Sequence, residues 1–266
     1  MASSRTSASG RLGLGWLWLP LVLCAAFLYL PILVLIVMSF NDGGSAYSWD
    51  GFSTRWYGEL VADDRLRSAV GTSLLVGAGA TVIATVLGTL LAVGLARHTR
   101  SKLLEASAMA PAILPDLLLA IGLLSLFYLA SIPKSAFTIL LAHAAFGTAF
   151  VVAVVRARLS GMDLAAEEAS RDLGAGAVTT FLKITVPSIA PAIVAGALLV
   201  FTLSLDEFVI AFFTAGPTTQ TLPIAVYSMV RVGVTPEINA LATILVVVSI
   251  AVVVFAARSV RRDETP

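Results

Sequence analysis

Two kinds of residue in this chain invite a chemical reading: carboxylates inside apolar runs, and a dense polar segment between two such runs. "FTLSLDEFVIAFFTAG" places Asp206 and Glu207 in one apolar stretch, and "APAILPDLLLAIGLL" places Asp116 in another. An ionised group at mid-bilayer costs roughly 2.5–3.5 kcal/mol on insertion scales, so it faces a cavity or a partner. Acids along a route suit a cationic solute, because a negative group in a low-dielectric path offsets lost hydration. Adjacent helical residues point about 100° apart, so Asp206 and Glu207 cannot both face one path on a continuous helix. The alternative is structural: pairing with polar groups such as Thr202 and Ser204 across an interface, and for Asp116, after Pro115, a place at a helix break. His143 sits among apolar residues and reads as a packed histidine.

The polar segment, "EEASRDLGAGAVTTFLKITVP", runs from Glu167 to Pro187. Its first half spaces Ala165, Glu168, Ala169 and Asp172 for one helix face. Gly174 and Gly176 then end the helix, since glycine accepts the left-handed conformation that closes one. The second half puts Ala177, Val178, Phe181, Leu182 and Thr185 on one stripe, and Pro187 is expected to stop the run. A helix-turn-helix with a docking stripe follows.

These groups need a frame to hold them. The chain is 58% hydrophobic and 12% charged over 266 residues, against about 25% charged in soluble domains, so it reads as a polytopic helical membrane protein. Near-neutral net charge gives no case for nucleic acid, and a lone Cys24 rules out an intrachain disulfide or cysteine metal cluster. Spans are expected near 16–39, 68–96, 104–130, 135–155, 191–215 and 239–257. Trp16–Met38 is too long for a cleavable signal and reads as a retained first span. Segment 131–134 reads as a tight turn, and 40–67 as an acidic loop. Placing both termini in the cytoplasm puts twelve of the seventeen Lys and Arg residues on that side, the polar segment among them. In the second span, Ala80, Ala84, Gly88, Ala92 and Ala96 predict a face for close helix packing.

On the polar segment the chain resembles the permease subunits of bacterial binding-protein-dependent ABC importers. Their motif is E-A-A, three residues, G, nine residues, I-x-L-P. Glu168-Ala169-Ser170, Gly174 and Ile184-Thr185-Val186-Pro187 keep every spacing, with Ser170 and Val186 as mild departures. The resemblance implies an all-α type I importer permease fold with about six transmembrane helices. Residues 68–257 would form the permease domain with a coupling segment at 160–190. A tail at 1–15 and a first helix with outer loop at 16–67 would precede it, and a tail at 258–266 would follow. It further implies that Glu168, Ala169, Ser170, Gly174, Ile184 and Pro187 couple to a separate ATPase dimer, with Glu168 meeting basic groups there. No G-x-x-x-x-G-K-[ST] phosphate loop occurs, so ATP and Mg²⁺ would be used by that partner, with no cofactor in this chain.

"SLDEFVIAFF" and "RVGVTPEINALAT" look like the polyamine (spermidine and putrescine) branch. Similar phrases occur in branches for ferric iron, thiamine or oxyanions. The implied partners are a second homologous permease, a periplasmic polyamine-binding protein and the bilayer of the bacterial inner membrane. Asp206, Glu207 and Asp116 are the expected path residues. A loop at 216–233, with a short helix from Pro223 showing Val226, Met229 and Val230, is the candidate contact for the binding protein. An ion-coupled carrier would account for the acids and leave the spaced polar segment unexplained. No nucleophile–base pair or metal-ligand cluster suggests an enzyme.

Overall fold

The computed structural model describes residues 18–45, 48–99 and 101–262, with side chains to residue 251. The expected tail 1–15, and the side chains of the expected tail 258–266, lie outside the described residues. Helices are α1 (Trp18–Met38), α2 (Arg55–Ala62), α3 (Asp64–Arg97), α4 (Lys102–Ile113), α5 (Asp116–Leu129) and α6 (Ala136–Ser160). They continue with α7 (Ala165–Asp172), α8 (Ala177–Thr180), a π turn (Phe181–Thr185) and α9 (Val186–Asp206). The last are α10 (Val209–Thr214), α11 (Leu222–Val232) and α12 (Pro236–Arg262). The described residues contain no strand beyond an isolated bridge between Asn41 and Phe52.

Four helical runs are long and apolar enough to cross a membrane: Trp18–Met38, Asp64–Arg97, Ala136–Ser160 and Ala177–Asp206. The third expected span, 104–130, is a broken pair: α4 and α5 bend by 109° at Leu114–Pro115. Pro115 removes a donor and pushes Leu114 out of the helical region, which accounts for the break. The sixth expected span falls in α12. The fifth, 191–215, is not one helix, because the chain leaves helical geometry at Glu207.

The chain divides into two compact units, 1–63 with 229–266, and 64–228. In the first, α12 packs against α1 and α2. The segment expected as a loop at 40–67 holds α2 and the start of α3, ordered around the buried Asn41. The Asn41 amide donates to the Ser45 and Ser48 carbonyls at 2.9 and 2.6 Å and accepts from the Asp50 N–H at 2.7 Å. Trp56 Nε1 donates to the Asn41 carbonyl at 2.8 Å.

In the second unit, α3, α6 and α9 form the core. Ala80, Ala84, Gly88 and Ala92 are buried as the small-residue stripe predicts, while Ala96 is exposed and outside the contact. The approach is close. A Cβ on Gly88 would lie 2.6 Å from Val151 Cβ, and one on Gly147 would lie 2.5 Å from Val200 Cγ1. Ser135 caps α6 in a capping box with Thr138, which ends the tight turn where Ser131 takes a positive φ of 54°. Glu105 of α4 pairs with Arg156 of α6 at 2.7 Å.

Candidate functional site

The polar segment folds as the expected hairpin. Asp163 Oδ1 accepts from the Ala165 N–H at 3.0 Å, and Glu167 and Glu168 sit in the first turn of α7, where the helix dipole favours acids. The hairpin turns at Gly174, with φ +84°. The Gly174 N–H donates to the Arg171 carbonyl at 2.9 Å and the Ala175 N–H to the Ser170 carbonyl at 3.0 Å. This paired closure requires a left-handed residue, and glycine takes it without strain.

Ala165, Glu168, Ala169 and Asp172 all lie on the exposed face of α7, and the Glu168 side chain makes no hydrogen bond or ion pair among the described residues. Ser170 is half-buried, its Oγ 3.0 Å from Thr180 Oγ1 across the hairpin. The expected stripe of the second limb divides. Phe181 packs on the α3–α6–α9 core and Thr185 is buried, whereas Val178 and Leu182 join Leu173 as exposed apolar groups.

Pro187 does not stop the run. The helix passes through it into α9, because a π turn precedes it. The Val186 N–H donates five residues back to the Phe181 carbonyl, and Ser188 Oγ donates to the Ile184 carbonyl at 2.7 Å. The extra residue in that turn relieves the clash a proline ring makes with a preceding carbonyl. Ile184 is half-buried in the π turn and Pro187 exposed just beyond it.

The structure adds Glu167 and Arg97, which the motif does not contain, and gives a contact to Thr185 at the motif's variable position. Glu167, adjacent to Glu168, points the other way and is 4% exposed. Its Oε1 accepts from Arg97 Nη2 at 3.2 Å and from Thr185 Oγ1 at 2.9 Å. Helical phase alone carries this signal: with Glu168 on the face of Ala165 and Asp172, its neighbour turns about 100° away.

The three carboxylates expected along the path sit at two helix breaks. Asp116 opens α5 directly after the Pro115 break. Asp206 is the last residue of α9, and Glu207 follows in extended geometry. Asp116 and Asp206 both lie within electrostatic range of Glu207. The Glu207 carboxylate accepts from the Ile210 N–H at 2.8 Å and so caps α10. The Asp116 and Asp206 side chains are exposed on the unit and make no hydrogen bond or ion pair among the described residues. Ser204 is taken by His143 Nδ1 at 2.7 Å and Thr202 by the Leu198 carbonyl at 2.9 Å, so neither pairs with Asp206. His143 is fully packed, as expected.

Residues 84–263 match the family described as the binding-protein-dependent transport system inner membrane component. The chain belongs to this family. The matched region takes in the hairpin and all three carboxylates. The chain is similar to the putrescine transport system permease protein PotI of Escherichia coli K12, 46% identical over 86% of this chain and 85% of the relative. It is also similar to the spermidine/putrescine transport system permease protein PotC of the same strain, 43% identical over 90% and 91%. Among solved structures, it has the fold of a chain from a bacterial ABC transporter that imports the acidic polysaccharide alginate. The TM-score is 0.69 at 17% identity, covering 99% of this chain and 100% of that one. A chain of the MetNI methionine ABC transporter has the same fold, with a TM-score of 0.61 at 17% identity over 81% of this chain and 100% of that one. The protein is therefore an all-α membrane permease of the ABC importer fold, and its role is transport.

Proposed function

We propose that this permease forms, with a second homologous permease, the translocation path of an ATP-driven importer for putrescine or spermidine in the bacterial inner membrane. The observation that carries the reading is the placement of Asp116, Asp206 and Glu207 at two breaks in the apolar helices of one unit, with Asp116 and Asp206 exposed there. Unpaired carboxylates at the end of an apolar helix suit a flexible polycation, which gains from dispersed negative groups and is released because none encloses it. Similarity to the two polyamine permeases supports the same solute. In this reading the hairpin and both termini face the cytoplasm. The outward face of α7, with Glu168, Ala169 and the Gly174 turn, docks on the ATPase dimer, and Ser170, Ile184 and Pro187 shape the hairpin behind it. That partner binds ATP and Mg²⁺, while a periplasmic binding protein delivers the solute against the α11 side. The test is uptake of labelled putrescine and spermidine by cells that lack their own polyamine import and express the complete transporter. ATP-dependent accumulation of either is expected. Uptake of neither, with the complex assembled and thiamine or ferric iron accumulated instead, refutes the substrate assignment.

A further inference from the structure

Glu167 is the one charged residue of the hairpin that is buried, and it faces away from the docking surface. Its carboxylate joins three elements: α7, which carries it, the last turn of α3 through Arg97, and the π turn through Thr185. Arg97 retains 17% side-chain exposure, and its Nε is buried without a hydrogen-bond partner. Burying an ion pair this incompletely satisfied stabilises the fold little, but removing one partner leaves the other charge uncompensated. The surroundings say why packing cannot replace it. A cleft of about 290 Å³ opens beside the pair, between Leu90, Val93 and Gly94 of α3 and Ala177, Val178 and Phe181 of the hairpin. The cleft leaves the apolar contact of Phe181 with the core incomplete, and the Glu167–Arg97 pair is the charged tie between the hairpin and α3 beside it.

We propose that Glu167 is a positioning residue: through Arg97 and Thr185 it clamps the hairpin to the end of α3. A displacement delivered to the outer face of α7 is then carried into α3 instead of being absorbed by the cleft. This inference rests on the reading of that outer face as the ATPase dock, and the test separates the two. Spin labels at Ala96→Cys and at Ala166→Cys, both exposed and the second turned off the docking face, in a Cys24→Ser background of the assembled transporter, report the distance between α3 and the hairpin. Glu167→Gln keeps the size of the side chain and its acceptor for Thr185 while removing the charge. It is expected to broaden a narrow distance distribution and to lower solute moved per ATP hydrolysed roughly tenfold at unchanged complex yield. Arg97→Gln should do the same, and the double variant should be no worse than either single one, the signature of a coupled pair. An unchanged distribution overturns the clamp, whether transport is normal or falls only in step with complex yield. Glu168→Lys distinguishes the readings: loss of ATPase association with a narrow distribution retained supports both. Retained association refutes the dock while the distance measurement still decides the clamp.

Discussion

The α3–α6 interface yields a prediction whose size follows from its geometry. Gly88→Ala adds one methyl where an ideal Cβ lies 2.6 Å from Val151 Cβ, 2.8 Å from Val151 Cγ1 and 3.0 Å from the Thr148 carbonyl oxygen. Carbon atoms at optimal separation stand about 3.5–4.0 Å apart, so the two helices must part by roughly 1 Å locally. The neighbour cannot swing aside, because Val151 is fully buried and branched at the clashing atom. Overpacking of this kind costs about 1–3 kcal/mol. The same substitution at Gly71, on the same helix, meets nothing within 4 Å and should gain up to ~1 kcal/mol of helix propensity. At about 2–4 °C per kcal/mol for a chain of this size class, Gly88→Ala should melt on the order of 5 °C below wild type. Gly71→Ala should melt at or slightly above it. The measurement is thermal unfolding in detergent followed by circular dichroism, since all four tryptophans lie within residues 16–56, far along the chain from this contact. A Gly88→Ala protein that melts with Gly71→Ala refutes the close-packing argument.

Glu168→Lys should abolish association with the ATPase in pull-down from solubilised membranes while leaving the permease inserted. Gly174→Ala, at φ +84°, should weaken association through a turn strained by roughly 1–2 kcal/mol; normal uptake by both at matched levels refutes docking through the hairpin. Asp206→Asn should lower polycation uptake severalfold at full complex yield, since Asp206 has no partner to lose among the described residues; unchanged uptake across a solute titration removes it from the path. In a Cys24-free protein, a cysteine at Asp50 should react with an impermeant thiol reagent in intact cells and one at Gly174 should not. The reverse pattern overturns the orientation and the dock together.

What the sequence made legible was whatever a fixed spacing encodes locally. The hairpin turn follows from Gly174, because only a residue free to take positive φ closes α7 in that way. The small-residue stripe followed from the helical repeat up to Ala92; Ala96 is exposed, although Leu95 beside it is still in the core. The errors fall where tertiary context decides. Pro187 read as a stop because a proline blocks a regular α-helix; the π turn, held by Ser188 and by the Val186–Phe181 bond, is not written in any local pattern. The run 191–215 read as one span because its apolar content continues across Glu207, where the helix does not. Glu167 and Glu168 are the same residue type side by side; helical phase separates their faces, but the partner that accepts the buried one, Arg97, lies seventy residues away.

The uninterrupted passage through Pro187 makes a single lever of what the sequence split into two pieces. From Ala177 to Asp206 the helix is 30 residues long, or about 45 Å at the rise of an α-helix. One end begins at the hairpin turn and the other carries a carboxylate at its last residue. Tilting such a rod by about 5° about its hairpin end sweeps the far end through roughly 4 Å, more than the diameter of a water molecule. On the proposed reading of Asp206 as a path residue, a small rotation at one end is thus enough to withdraw its carboxylate from an ammonium group beside it. The places where this rod can yield in bending are its π turn and the interior Pro191 one turn beyond Pro187.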